Sequence, residues 1–337
     1  MRIERYIAER AAQWDALVEA SRNGTFLFMR GYMDYHSDRF CDHSLMAYDD
    51  KHKLVAVLPS NEVEEEGRKI LCSHQGLTYG GWVMSRKLHA AEVMLLFDLV
   101  IDYLRELGFS EWRYKPVPTI YHRLPSQDDI YALWRHGAVM TVCNLSCSQQ
   151  LDVDADQRIS ADASRRHRRK QAEMDGLRLL VGGKDLPADE VLRRFWPIME
   201  ANMMQRYGAR PVHTLDEMLL LQRRFPRNIQ CFLVTAPTDE GGTVDVAGEV
   251  LFVTDQVAHA QYGHASELGR KLGALDFLYL TLMDRFAEQG NIRYFDFGTS
   301  NEQGGRVLNE TLIAQKEGFG GRGVAYGTFA LNVKGKM

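Results

Sequence analysis

A disulfide framework, a membrane span and a strong charge bias are all missing from this chain. Its five cysteines, Cys41, Cys72, Cys143, Cys147 and Cys231, are an odd number scattered over 337 residues, which does not read as a disulfide scaffold. Cys143 and Cys147 stand four apart with no second Cys/His pair beside them, so neither a zinc site nor metal chemistry is expected. No apolar run reaches the roughly 20 residues of a spanning helix, and Met1-Arg2-Ile3-Glu4-Arg5 lacks the apolar core of a signal peptide. The expected setting is the cytoplasm, without membrane insertion. A formal net charge of -4 gives no general attraction to nucleic acid or anionic lipid, so a polyanionic partner has to meet a local patch. No Gly-x-Ser-x-Gly elbow, P-loop or dinucleotide fingerprint occurs, which removes support for a serine acyl-enzyme, nucleotide hydrolysis and hydride transfer.

What is present describes a globular protein, with 45% hydrophobic and 26% charged residues, long enough for two domains of about 150 residues each. The expected boundary lies near residue 150, giving domains over 1–150 and 151–337. In the first, Leu54 to Leu58 and Lys69 to Ser73 read as strands of an antiparallel hairpin joined by an acidic loop, Glu62 to Glu66. From Leu88 onward Val93, Leu96, Phe97, Val100 and Leu104 share one helical face, Gly108 ends the helix, and Phe109 to Lys115 follows as a strand. Two stretches of this half are more polar than a plain core needs. One is Tyr35-His36-Ser37-Asp38-Arg39-Phe40. The other, His74-Gln75-Gly76-Leu77-Thr78-Tyr79-Gly80-Gly81, has glycines that permit either close backbone approach to a ligand or a bulged turn. His36, Arg39, His74 and Tyr79 are the candidates for binding an acceptor substrate, against the plainer reading of core packing and turn chemistry.

The second half opens on a basic run, Arg165-Arg166-His167-Arg168-Arg169-Lys170, expected on a helix that ends near Gly176. Positions 165 and 169, or 166 and 170, share a face, so two cations can converge on one anion or simply form a solvated surface. Ile229 to Val234 and Val246 to Val253 read as a hairpin around Gly241-Gly242, and Val257 to His264 extends the sheet. Gly269-Arg270-Lys271-Leu272-Gly273-Ala274 then precedes apolar residues at helical spacing, Leu275, Leu278, Tyr279, Leu282 and Phe286, stopped by Gly290. Ile292 to Phe297 follows as a buried strand, so strand, helix and strand make a crossover unit.

Glycine and two cations at the head of that helix suggest an anion site of Arg270, Lys271, Gly273 and Ala274. Arg86-Lys87-Leu88-His89-Ala90 aligns with Arg270 to Ala274 ahead of the first half's long helix, and the same helix and strand order follows both, which reads as an internal duplication. His89 replaces the glycine and obstructs a phosphate, so the first copy is expected to retain only structure or acceptor binding. Glu249 and Asp296 each interrupt an apolar strand. A carboxylate there is either held by a hydrogen-bond partner or raised in pKa, and only the second suits a base near neutral pH. Alternation puts Tyr262 and His264 on one face of their strand, with His259 and Gln261 on the other.

The basic residue, two free positions and glycine ahead of the helix resemble the acyl-CoA-binding half of the GNAT acyltransferase fold. Arg270, Gly273 and Ala274 match, while Leu275 stands where that family has its last small residue. Tyr294-Phe295-Asp296-Phe297-Gly298 and Leu312 to Gly321, with Lys316-Glu317-Gly318-Phe319-Gly320-Gly321, resemble the closing motifs of the double-GNAT branch, which includes the Fem-type peptidyltransferases. The resemblance implies an α/β fold of two tandem GNAT-like domains, each a mixed, mostly antiparallel sheet flanked by helices. The N-terminal copy is then acceptor-binding or structural, the C-terminal copy binds the donor and catalyses, and the acceptor lies between them. The implied reaction is N-acyl transfer from an acyl-CoA, such as acetyl-CoA, to a small-molecule amine on an amino sugar or cell-envelope precursor. In that resemblance Lys316 corresponds to the lysine of the Fem-type closing motif and stabilises negative charge, and Tyr262 protonates the leaving sulfur. Glu249 and Asp296 stay open as the base. Two other readings remain: a Fem-type enzyme taking its amino acid from charged tRNA, with the basic run as contact surface, and a non-catalytic binding protein built from two degenerate copies.

Overall fold

The computed structural model describes residues 1–334, the side chain of Tyr207 excepted. The chain divides into two compact units, one of residues 1–145, 301–307 and the segment from 325 onward, the other of residues 146–300 and 308–324. The single boundary expected near residue 150 gives way to a discontinuous division, because the C-terminal strand pairs within the first unit.

Up to residue 150 the strands are β1 (Arg2–Arg5), β2 (Cys41–Asp42), β3 (Leu45–Tyr48), β4 (Leu54–Leu58), β5 (Ser60–Glu65), β6 (Arg68–Ser73), β7 (Val83–Met84), β8 (Glu111–Tyr114) and β9 (Val139–Gln150). The helices are α1 (Ala11–Ala20), α2 (Arg30–Met33), α3 (Ala90–Glu106) and α4 (Asp128–Arg135). Strands β1, β3, β4 and β7 form one sheet in that order. The apolar stripe of α3, Val93, Leu96, Phe97, Val100 and Leu104, is fully buried against Leu45, Leu58, Trp82 and Trp112, as its spacing requires. The expected acidic loop is instead a strand: β5 carries Glu62, Glu64 and Glu65 and pairs antiparallel with β6 from Ser60↔Ser73 to Glu65↔Arg68. Cations hold its charges, with Arg113 bidentate on Glu65 at 2.7 and 2.6 Å and Lys69 3.3 Å from Glu62. A strand edge tolerates acids when opposite charges stand across from them.

The remaining elements are α5 (Ala163–Met174), β10 (Arg178–Val181), α6 (Ala188–Tyr207), α7 (Leu215–Arg224), β11 (Ile229–Pro237), β12 (Thr243–Val253), β13 (Val257–Ala265), α8 (Glu267–Lys271), α9 (Ala274–Gln289), β14 (Tyr294–Thr299), β15 (Asn301–Glu302), β16 (Val307–Leu308), α10 (Glu310–Glu317) and β17 (Arg322–Asn332). In the first unit β17 pairs antiparallel with β8, Phe329↔Tyr114 to Asn332↔Glu111. The second unit's sheet runs β10, β11, β12, β13, β14 and the end of β9. Its pairs are antiparallel except β13 with β14, which α9 joins as a crossover. Phe277, Leu278, Leu282 and Phe286 of α9 pack on the sheet with Val246, Leu251 and Phe295. Gly290, at φ 71°, ends the helix in the left-handed conformation that glycine adopts freely.

Two irregularities of this sheet set up the site. The β13–β14 ladder stops at His259↔Asp296, although β13 continues to Ala265 and β14 to Thr299. A bulge in β13 places Gln261 between the partners of Val250 and Leu251, and an extra residue shifts the side-chain alternation by one. His259 therefore shares a face with Tyr262 and His264, where strict alternation put it opposite. Among the described residues no helix is long and apolar enough to cross a membrane.

Candidate active site

Parallel strands that part at their carboxyl ends open a crevice there. In the second unit it is a cavity of about 180 Å³ lined by Ala260, Gly263, His264, Arg270, Phe297 and Lys316, among others. Lys316 comes from the last turn of α10, and its Nζ donates to the carbonyl oxygens of Gly298 at 2.8 Å and Thr299 at 2.7 Å. Burial pushes its ammonium down to about 8, opposed by the nearby carboxylate of Asp296. Two of three donors are spent on the end of β14, which leaves one for a bound group.

Beneath the cavity Glu249 is fully buried on β12, and the Tyr279 hydroxyl of α9 donates to its Oε2 at 2.9 Å. Its Oε1 is buried without a hydrogen-bond partner. Burial pushes this carboxyl up to about 8, with the Tyr279 hydrogen bond pulling the other way, so the neutral acid predominates at pH 7. Gly263 makes the arrangement possible, since any side chain there would overlap the Glu249 carboxylate and the Tyr279 hydroxyl.

Asp296 is equally buried but fully engaged. Oδ1 accepts from Ser146 Oγ at 2.6 Å, Ser148 Oγ at 2.8 Å and the Gly298 amide at 3.2 Å, and Oδ2 lies 2.8 Å from His259 Nδ1. With both oxygens engaged, Asp296 is placed to orient the His259 imidazole. Sequence alternation sets His259 on the face opposite Tyr262 and gives no signal that its ring meets Asp296. The in-register pair at the last rung before the strands separate brings them together.

The anion site expected at the head of α9 is only partly open. Arg270 is exposed at the cavity and donates to the Ala265 carbonyl oxygen at 3.2 Å. Lys271 is exposed and paired with Glu267 at 2.9 Å. Gly273 and Ala274 are buried, and a Cβ at Gly273 would meet Arg168 Cβ of α5 at 3.2 Å. Asp276, in the first turn of α9, takes Arg165 at 2.6 Å and Arg168 at 2.9 Å. A carboxylate thus already stands where the helix end attracts negative charge, and Arg168 packs over Gly273.

Tyr262 is not at the cavity. Its hydroxyl lies 2.6 Å from His213 Nδ1, and its ring packs on Trp196 of α6. In the first unit, His36 and His74 stack at 5.1 Å between ring centroids. Burial lowers the pKa of both, that of His74 to about 3, and His36 Nδ1 is 2.7 Å from the Met33 carbonyl oxygen. Tyr79 is buried, its hydroxyl 3.3 Å from Thr25 Oγ1 and its ring against Tyr121. Arg39 is exposed, its guanidinium 6.0 Å from the Tyr35 ring centroid. Of these four, the two imidazoles are brought together as neutral packing partners.

A family model described as acetyltransferase (GNAT) domain matches residues 161–303. None of the curated proteins matches the sequence. Among solved structures, FemX is 13% identical and superposes with a TM-score of 0.71 over 98% of this chain and 97% of its own. The C-terminal domain of a putative lysylphosphatidylglycerol synthetase from Agrobacterium fabrum gives 14% identity and a TM-score of 0.61, covering 96% and 92%. A tandem GNAT protein from the clavulanic acid biosynthesis pathway gives 13% and 0.51, covering 100% and 99%. At such identities the likeness is one of fold. The chain therefore has the fold of these structures, the tandem GNAT protein among them, and its residues 161–303 match the GNAT acetyltransferase domain model.

Proposed function

We propose that this protein is an N-acyltransferase whose second unit, residues 146–300 and 308–324, holds the acyl donor and catalyses transfer to an amine. The first unit is left with acceptor binding or structure. The observation that carries this reading is the crevice where β13 and β14 part, with the Lys316 ammonium at its wall and the Glu249–Tyr279 pair beneath it. In the reaction the amine nitrogen bonds to the acyl carbon and the bond to the leaving group breaks. Lys316 stabilises the oxygen that becomes negative. His259, oriented by Asp296 and set beside Gly298 just outside the lining of the crevice, takes the amine proton, and the neutral Glu249–Tyr279 pair returns one to the leaving group. The donor in this reading is an acyl-CoA such as acetyl-CoA, and the acceptor an amine on an amino sugar or cell-envelope precursor.

The covering of Gly273 by Arg168 favours a second reading, transfer of an amino acid from charged tRNA, because that donor carries no diphosphate to seat on α9. Thiol release from acetyl-CoA with a panel of amines tests the first. Release by the wild type, lost in a folded Lys316→Ala, supports it. If acetyl-CoA gives neither thiol nor heat of binding, while tRNA is retained with an affinity that falls steeply with salt, the second reading replaces it. Failure of both leaves a non-catalytic binding protein.

A further inference from the structure

The ion pairs of the second unit account for only part of the basic run on α5. Arg165 and Arg168 are committed to Asp276, and Arg169 to Glu173 at 2.9 Å and Asp284 at 2.5 Å. Arg166 and Lys170, one helical turn apart, have no carboxylate partner among the described residues. Both are exposed and line a second cavity, of about 360 Å³, together with Arg158 and Arg169. Four cations against two carboxylates, Glu173 and Asp284, leave two positive charges in excess at its wall. An acidic chain of net charge -4 does not concentrate cations there by composition.

Two of the four cations are held in place without being neutralised. Arg166 Nη1 donates to the carbonyl oxygen of Ala161, and Arg158 Nη2 to that of Leu151 at 3.2 Å. Arg158 Nε is buried with no acceptor, which leaves the terminal nitrogens of that guanidinium as the donors a ligand can meet. Fork-shaped guanidinium groups from two segments and one ammonium suit an anion with several oxygens on different faces.

We propose that this cavity is a phosphate-binding site, which holds the phosphates of the acyl donor in place of the covered head of α9. Its position supports the assignment, since Phe319 lines both this cavity and the crevice beside Lys316. The glycines around that ring let the walls meet. A side chain at Gly318 would strike Arg165 Nε at 2.6 Å, and one at Gly320, where φ is 93°, would overlap the Ile159 carbonyl oxygen. The existence of the site is independent of the acyl-transfer reading; only its assignment to the donor rests on that reading.

Isothermal titration of the full chain with inorganic pyrophosphate tests the site. The wild type binds, and Arg166→Ala and Lys170→Ala each weaken binding by about tenfold, the scale of one charge-assisted contact. Lys184→Ala, an exposed lysine in the turn after β10, leaves it unchanged. Lys170→Gln, altering an exposed side chain, keeps the test valid if Arg166→Ala fails to fold. Coenzyme A and a tRNA transcript, each competed with pyrophosphate, separate the sources: the one displaced, and weakened by the same substitutions, carries the phosphate. No heat with pyrophosphate, or equal affinity in Arg166→Ala and Lys170→Gln, overturns the site, and thiol release persisting in that case leaves the function intact. Pyrophosphate binding with neither nucleotide bound overturns the assignment to the donor.

Discussion

His259 Nδ1 stands 2.8 Å from Asp296 Oδ2 across the last rung of the β13–β14 ladder, and no rung follows it. The carboxylate fixes the tautomer of the ring and leaves Nε2 as the atom that can take a proton. Replacement of His259 by Gln is expected to lower the rate of acyl transfer by roughly 10²–10³-fold. Asp296→Asn is expected to lower it as well while near-ultraviolet circular dichroism stays native. A His259→Gln enzyme that keeps the wild-type pH–rate profile would rule the ring out as the base.

Lys316 is tethered by two carbonyl oxygens and retains one donor. Lys316→Ala is expected to reduce kcat by about 10²–10³-fold with a smaller change in KM, because a group acting on developing charge matters most in the transition state. Lys316→Arg does not restore activity, since a planar fork cannot reproduce the contacts to Gly298 and Thr299. Steady-state kinetics of the two variants decide this.

Glu249 makes stability depend on pH in a defined direction. Its carboxyl is raised from 4.5 to about 8 on folding, so the native state holds a proton that the unfolded chain has released. The stabilisation is complete below about pH 4.5 and is lost as pH rises through about 8. Glu249→Gln removes this loss. Its Tm is expected to exceed that of the wild type by several degrees at pH 8.5, with a smaller difference at pH 5. Calorimetry at the two pH values is the check, and a constant difference would contradict it.

Gly263→Ala places a methyl group on the Glu249 carboxylate and the Tyr279 hydroxyl. The expected cost is about 1–3 kcal/mol, the range for overpacking a filled interior. Tyr279→Phe in the same chain should recover part of it, because one of the two overlapping atoms is gone. Urea unfolding of the single and double variants measures both.

Asp276 is the buried anion between Arg165 and Arg168, with 10% of its side chain exposed. Asp276→Ala leaves two cations facing each other and is expected to destabilise by about 3 kcal/mol, as when one partner of a buried pair is removed. Pyrophosphate at millimolar concentration should return some of that stability in the variant and less in the wild type. Thermal shifts with and without the anion distinguish the cases.

The second unit was readable in the sequence where side chains repeat locally. The helical stripe of α9, its terminating Gly290 and the crossover into β14 all follow from spacing. The acidic stretch Glu62 to Glu66 reads as a loop although all but its last residue lies in β5, because the compensating charges, Arg113 and Lys69, lie on other strands. The anion motif misled for the same reason. Arg270 to Ala274 has local chemistry for a phosphate, but Arg168, about a hundred residues earlier in the chain, packs over Gly273 and is paired to Asp276 of the helix's first turn. His259 escaped because the bulge at Gln261 reverses the alternation that assigned it to the far face. Each miss is a contact over long sequence separation overriding a short pattern.

The early end of the β13–β14 ladder also bears on inhibition. Strand edges that run on without each other present amide and carbonyl groups to whatever enters, and main-chain groups do not change when a side chain mutates. A compound zipped along those edges, with an anionic head toward Lys316, would keep its grip through most substitutions in the crevice. Escape from it would have to come through the backbone, by proline or by a shifted bulge, at a cost to the sheet itself.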